Sequence, residues 1–230
     1  MKLLLTNDDG IDAAGLAALA EAAAEFGQLT WIAPHAHLSG CGHRVTTDGP
    51  IRVMPRDNDR YAIDGTPADC VRVGLAKFAP DVAWVLSGMN HGGNLGADVY
   101  HSGTVAAVRE AALHGKPGIA VSQYTRRGHE IDWERARRWM RLVLKQLLAE
   151  PLPAATFWNV NLPSLLPGEP EPRVIRCPLE PAPLPLSFRM GEDHMHYDGN
   201  YHERVRSPGS DVDVCFNGNI AVTRLTLGCP

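Results

Sequence analysis

With 230 residues and a formal net charge of -4, the chain can bury one substantial core and offers no basic field for gripping long nucleic acid. Its 44% hydrophobic and 21% charged residues suit an ordinary globular protein, and no apolar run nears the roughly 20 residues that span a bilayer. Lys2-Leu3-Leu4-Leu5 is cut off by Asp8 and Asp9, too early for a signal peptide, so a cytoplasmic protein is expected.

Leu3-Leu4-Leu5 reads as a buried strand that runs into Thr6-Asn7-Asp8-Asp9-Gly10. Ile11, Leu16, Leu19 and Ala23 then recur on one side of a helix. Ligands of open α/β sheets bind beyond the carboxyl ends of the strands. Two adjacent carboxylates placed there repel unless a cation or a shared proton relieves them. Hard oxygen donors of this kind suit Mg²⁺ or Mn²⁺ better than zinc. The plainer alternative is a turn that caps the next helix.

Leu29 to Ala33 is a second strand, ended by Pro34. The loop Ser39-Gly40-Cys41-Gly42-His43 follows it toward the same rim, where Ser39 can give a hydroxyl ligand; otherwise it is a surface loop. Pro67 opens a helix to about Lys77, because its missing N–H has no partner to lose in a first turn. Asp81 to Ser87 is almost continuously apolar, as a buried parallel strand would be.

The glycine-rich loop Ser87-Gly88-Met89-Asn90-His91-Gly92-Gly93-Asn94-Leu95-Gly96 leaves that strand. Asn90 and Asn94 can offer amide oxygens to a metal or amide donors to a phosphate. Ser102 caps a helix from Gly103 to about His114, whose free N–H groups form a ready phosphate site, although such a serine is often only a cap. Ile119 to Ser122 is another strand, and Asp132 to Leu148 an amphipathic helix with Trp139, Leu142, Val143 and Leu147 inward.

After Glu150 the composition shifts to proline, with short strand candidates at Thr156 to Asn161 and Arg173 to Cys177. Residues 187–210 are polar and aromatic, with a hairpin turn expected at Asp198-Gly199-Asn200, and Asn219 to Leu225 alternates like a strand. The strand–helix alternation predicts a three-layer α/β/α, Rossmann-like parallel sheet. We expect one domain over 1–230, with a catalytic core in 1–150 and a C-terminal elaboration in 151–230 reaching toward another subunit. The five cysteines (Cys41, Cys70, Cys177, Cys215, Cys229) form no CxxC pair and read as reduced thiols; Cys41 alone sits in a loop of interest.

Five segments, in order, make the sequence similar to the SurE (survival protein E) family of metal-dependent nucleotidases. They are Thr6 to Gly10, Ala33-Pro34 through Ser39-Gly40, Gly65-Thr66-Pro67-Ala68-Asp69-Cys70-Val71, Ser87 to Gly96, and Ser102-Gly103-Thr104-Val105-Ala106-Ala107. Asn159-Val160-Asn161-Leu162-Pro163 and Ser210-Asp211-Val212-Asp213 look like the family more loosely. The resemblance implies one divalent cation (Mg²⁺ or Mn²⁺) per subunit, on Asp8, Asp9, Ser39 and Asn90. It also implies a phosphate cradle of Asn94, Ser102, Gly103 and Thr104. The implied activity is a phosphomonoesterase on nucleoside 5′- and 3′-monophosphates, extending in some members to short polyphosphate. Homodimers or homotetramers that exchange C-terminal elements, with a hairpin among them, are implied as well. His43 stands where small or amide residues are common, His101 where tyrosine is frequent, and Met89 replaces the usual isoleucine.

The expected chemistry is direct hydrolysis, with Asp9 accepting the water's proton and Asp8 chiefly a ligand. His101 and His43 are candidates for protonating the leaving group. His194 and His196 could share a strand face for a metal, or lie on a solvated hairpin. Tyr100, Tyr124, Phe188, Tyr197 and Tyr201 are candidate rim aromatics. A dinucleotide-dependent oxidoreductase would use the same edge, but the first turn lacks GxGxxG. A noncatalytic nucleotide-sensing module would need the same phosphate cradle, and only turnover separates the two.

Overall fold

In the computed structural model, which describes residues 1–228, the chain opens with β1 (Lys2–Thr6), α1 (Ala14–Ala23) and β2 (Gln28–Pro34). β1 is covered on both faces, and its alternation sorts the side chains. Leu3 and Leu5 pack with Leu16, Leu19, Trp139 and Val143 on one face, Leu4 with Ile32, Val71 and Ala107 on the other. The remaining elements of the first half are β3 (Val53–Arg56), β4 (Arg60–Ile63), α2 (Pro67–Val73), β5 (Trp84–His91), α3 (Gly103–Leu113), β6 (Gly118–Gln123) and α4 (Trp133–Leu147). The second half adds β7 (Thr156–Leu162), β8 (Val174–Arg176), β9 (Phe188–Met190), β10 (Met195–Tyr197), α5 (Asp211–Phe216) and β11 (Ile220–Thr226).

One sheet runs β3-β4-β2-β1-β5-β6-β7-β11-β8. The strands from β4 to β7 are parallel, and α1 with α4 covers one face while α2 with α3 covers the other. This is the expected three-layer α/β/α architecture. The second half does more than reach outward: β7, β8 and β11 complete the main sheet, and the β9–β10 hairpin forms a separate small one.

Local chemistry sets the helix starts. Thr66 and Asp69 close a capping box ahead of Pro67, Ser102 accepts from the Val105 N–H, and Asp132 accepts from the Arg135 N–H. Two expectations are corrected. Leu142 is 60% exposed, because the buried stripe of α4 runs through Ala136, Trp139, Met140, Val143, Leu144 and Leu147 and passes it by. The hairpin turn falls at Gly191 to His194, not at Asp198-Gly199-Asn200. A further hairpin, β3–β4, is turned by Asn58 and Asp59 at positive φ, as short polar residues tolerate.

Gly88 explains the end of β5. Its φ is +130°, and a Cβ there would lie 2.1 Å from the Val121 carbonyl oxygen. Only glycine permits that approach, and the β5–β6 register shifts between Ser87 and Asn90 before pairing resumes at Asn90 with Ser122. Asn90 therefore sits on the strand's end, not in a free loop.

Candidate functional site

β1 lies between β2 and β5, so the chain's crossovers diverge there and leave a crevice at the carboxyl ends of β1 and β5. Asp8 and Asp9 follow β1, and Asn90 closes β5. A cavity of about 350 Å³ opens at this point, lined among others by Asp8, Ser39, Asn90, Asn94, His101 and Ser102. A hollow of about 440 Å³ lies among Trp84, Lys116 and Pro151, where β5 and β7 begin, but it gathers no comparable set of acids and amides.

Asp8 is 3% exposed. Burial pushes its carboxyl above the ordinary range and the Asp9 charge adds to this, while the Thr104 hydroxyl, donating at 2.5 Å to Oδ1, works the other way. Asp9 lies one step back from the cavity wall. Its Oδ2 accepts the His91 N–H at 3.1 Å, and its Oδ1 is 3.3 Å from His37 Nδ1. Two carboxylates side by side, one almost dry and short of donors, make a place for positive charge.

Ser39 comes from the loop after β2, held where the Leu38 N–H donates to the Asp8 carbonyl at 2.7 Å and the Gly42 N–H to the His101 carbonyl at 3.2 Å. Asn90 gives its Nδ2 to the Gly92 carbonyl at 2.8 Å, which fixes the amide and leaves Oδ1 free for a ligand. Two carboxylates, a hydroxyl and an amide oxygen are a hard-oxygen set of the kind Mg²⁺ or Mn²⁺ takes. No group of three or more His, Cys, Asp or Glu suited to a metal occurs among the described residues, because half of this donor set is neutral.

The expected phosphate residues divide. Ser102 lines the cavity as the cap of α3. Gly103 sits against Asp8, where a Cβ would come 2.9 Å from Oδ2 and 3.0 Å from the Cys41 sulfur. Thr104 is fully buried and its hydroxyl donates to Asp8 Oδ1, which steadies that carboxylate. Asn94 reaches the cavity, with its backbone clamped from β7: its N–H donates to Asn161 Oδ1 at 2.8 Å, and its carbonyl accepts from Asn159 at 2.8 Å and Asn161 at 3.0 Å. Two asparagines two apart on a fully buried strand are the sequence signal of that clamp.

The histidines separate as well. His101 lines the cavity, and its imidazole makes no hydrogen bond among the described residues. His43 is not among the residues lining the cavity, and its Nε2 lies 2.8 Å from Glu110 Oε2. His194 and His196 pack ring to ring, 4.7 Å between centroids, on the exposed hairpin. Of the aromatics, Tyr201 lines the cavity beside Leu184, with its hydroxyl on Asp98 Oδ2 at 2.7 Å, where Arg204 also donates at 2.8 Å. Burial holds the Tyr201 phenol well above its ordinary range, so it stays neutral. Tyr124 instead stacks on Phe216, and Tyr100, Phe188 and Tyr197 face outward. Cys41, Cys70, Cys177 and Cys215 are free thiols, with Cys41 packed on Gly103; Cys229 lies outside the described residues.

Fold and site together define a Rossmann-like α/β protein with an acid–amide cluster and a helix start at its topological switch point. The family model described as "Survival protein SurE" matches residues 3–177. A putative 5′-nucleotidase of Nostoc sp. is 53% identical, over 99% of this chain and 100% of that protein. The 5′-nucleotidase SurE of Neisseria gonorrhoeae is 37% identical, over 99% and 93%. The crystal structure of the SurE protein from Aquifex aeolicus superposes with a TM-score of 0.88 at 32% identity, covering 100% of this chain and 95% of that one. The chain belongs to the SurE family.

Proposed function

We propose that this chain is a divalent-metal-dependent 5′-nucleotidase, hydrolysing nucleoside 5′- and 3′-monophosphates to nucleoside and phosphate. The naming of its relatives as 5′-nucleotidases supports the reaction class. The observation that carries the reading is the meeting of Asp8, Ser39 and Asn90 with Asn94 and Ser102 in one cavity. Asp8, Asp9, Ser39 and Asn90 would hold the cation, which supplies Lewis-acid polarisation of a phosphoryl oxygen when bound.

The chain's own groups do the rest. The start of α3, with Ser102 in the cavity wall and Gly103 behind it, presents a positive helix end to the phosphoryl group. Asn94, whose Nδ2 also donates to Ser122 Oγ at 2.7 Å, offers its second amide N–H to the same group. Asp9 accepts the proton of the attacking water; as the carboxylate beside exposed His37, it can pass that proton to solvent. His101, unbonded in the cavity wall, donates a proton to the departing ribose oxygen. Leu184 and Tyr201 wall the side open to the nucleoside.

Assembly into a homodimer or homotetramer through the β9–β10 hairpin belongs to the same reading, supported by exposed Leu186, Phe188, Met190, Met195 and Tyr197. A phosphate-release panel tests the whole. Nucleoside monophosphates, short polyphosphate and simple sugar phosphates are compared with Mg²⁺ and with Mn²⁺. Metal-dependent release, fastest from nucleoside monophosphates, is expected; tight nucleotide binding without release would leave only the sensing module.

A further inference from the structure

The segment 38–42 borders the cavity through Ser39 and Gly40, and Cys41 packs it against Gly103 at the start of α3. Ser39 is exposed, and Gly40 and Gly42 both take positive φ with no atom within 4 Å of where a Cβ would stand. Hydrogen bonds must therefore set its height. Three start within the segment: Leu38 and Gly42 donate outward to Asp8 and His101, and the Cys41 N–H closes a turn on the Leu38 carbonyl at 3.2 Å. Beyond it the chain is tied down firmly. The Arg44 carbonyl accepts from the Thr66 hydroxyl at 2.6 Å, and Thr46 gives its N–H and hydroxyl to Asp69 at 2.9 and 2.7 Å.

Between the loose glycines and that anchor stands His43. Its Nε2 is 2.8 Å from Glu110 Oε2, and both side chains are largely buried. Glu110 is itself held: His114 Nε2 lies 3.0 Å from Oε1, and Arg72 Nε 3.8 Å from it. Glu110 rides on α3, the helix whose first turn presses on Asp8 through Gly103 and Thr104. The His43–Glu110 bond thus joins the Ser39 loop to the helix that forms the site's other wall.

We infer that His43 is a positioning residue, latching the Ser39 loop to α3 through Glu110 so that loop and helix tip keep one spacing across the cavity. This rests on the nucleotidase reading only for its effect on turnover, because the latch itself is a property of the fold. An imidazole reaches Glu110 from a backbone position where a small residue would leave the carboxylate to His114 and Arg72 alone.

The test compares wild type with His43→Ala and His43→Gln, whose amide can replace Nε2–H as a donor. Hydrogen exchange is followed at the amides of residues 38–42 in the metal-free protein, and kcat and KM are measured in parallel. His43→Ala should exchange at least five-fold faster in that segment while the α1 and β6 amides are unchanged. It should lose about ten-fold in kcat with KM within two-fold, and His43→Gln should recover most of both. Unchanged exchange in His43→Ala would overturn the latch even if the protein proved to hydrolyse no nucleotide. Faster exchange spread evenly over the chain, or no recovery in His43→Gln, would also overturn it, by marking His43 as ordinary packing.

Discussion

The two halves of the cavity wall are built in opposite ways. The side made by β1, β5 and α3 is rigid and dry: Asp8, Ser102 and Thr104 are buried, and each is hydrogen-bonded to a neighbouring element or to its own helix. The side made by residues 184–204 arrives from a long segment whose hairpin exposes Phe188, Met190, Met195 and Tyr197. That segment is tied to the core near its end, by Tyr201 and Arg204 on Asp98, by Arg204 on the Leu95 carbonyl at 3.1 Å and by His202 Nδ1, 2.8 Å from the Tyr124 hydroxyl. The proposed mechanism puts the chemistry that tolerates no displacement on the first side. In the proposed mechanism the contacts that choose the substrate sit on the second, where loops can vary without disturbing the sheet.

Substitutions on the rigid side should cost most. Asp8→Asn removes a ligand and a charge, and kcat should fall by about 1,000-fold or more. The same change relieves a buried carboxylate that faces Asp9, so the metal-free protein should gain about 1 kcal/mol in a denaturant melt. A loss of stability together with activity would deny that the pair is held against repulsion. Gly103→Ala comes next. Its methyl would crowd Asp8 and Cys41, which predicts about 100-fold in kcat and about 1–3 kcal/mol in stability, read from steady-state rates and thermal melts.

On the second side the effects shrink and change character. Tyr201→Phe takes one donor from Asp98 but leaves Arg204, so about 1 kcal/mol of stability and a three- to ten-fold rise in KM are expected, with kcat nearly intact. A fall in kcat alone would move Tyr201 to the chemical side of the cavity. Phe188→Ser with Met190→Ser should change unfolding free energy by no more than about 0.5 kcal/mol, since both side chains are exposed. Light scattering on that variant should report a smaller assembly; an unchanged mass would release the hairpin from any role between copies.

The same contrast explains what could be read from sequence. Asp8, Asp9, Ser39, Asn90 and Asn94 follow strongly apolar strands, so their place at the sheet's rim could be inferred from strand ends alone. The β-α-β alternation fixed the layers for the same reason, through continuous apolar runs. Partner choice could not be read that way. Thr104 looks like any first-turn residue until its hydroxyl is found on Asp8, 96 positions away. His43 and His101 are equivalent as letters, and only the fold sends one to Glu110 and the other into the cavity. The β9–β10 hairpin was displaced because Asp198-Gly199-Asn200 is the stronger turn signal, yet the pairing of His196 with Arg189 closes the strands earlier.

The central claim is tested most directly by phosphate release from a nucleoside 5′-monophosphate as Mn²⁺ is titrated into wild type and Asn90→Ala. Asn90, at the end of β5, lines the same cavity as Asp8. The wild-type rate should therefore saturate at one ion per chain, and the variant should need at least ten-fold more Mn²⁺ for a much lower maximum. Turnover indifferent to added metal, or an Asn90→Ala curve that overlays the wild type, would contradict the claim.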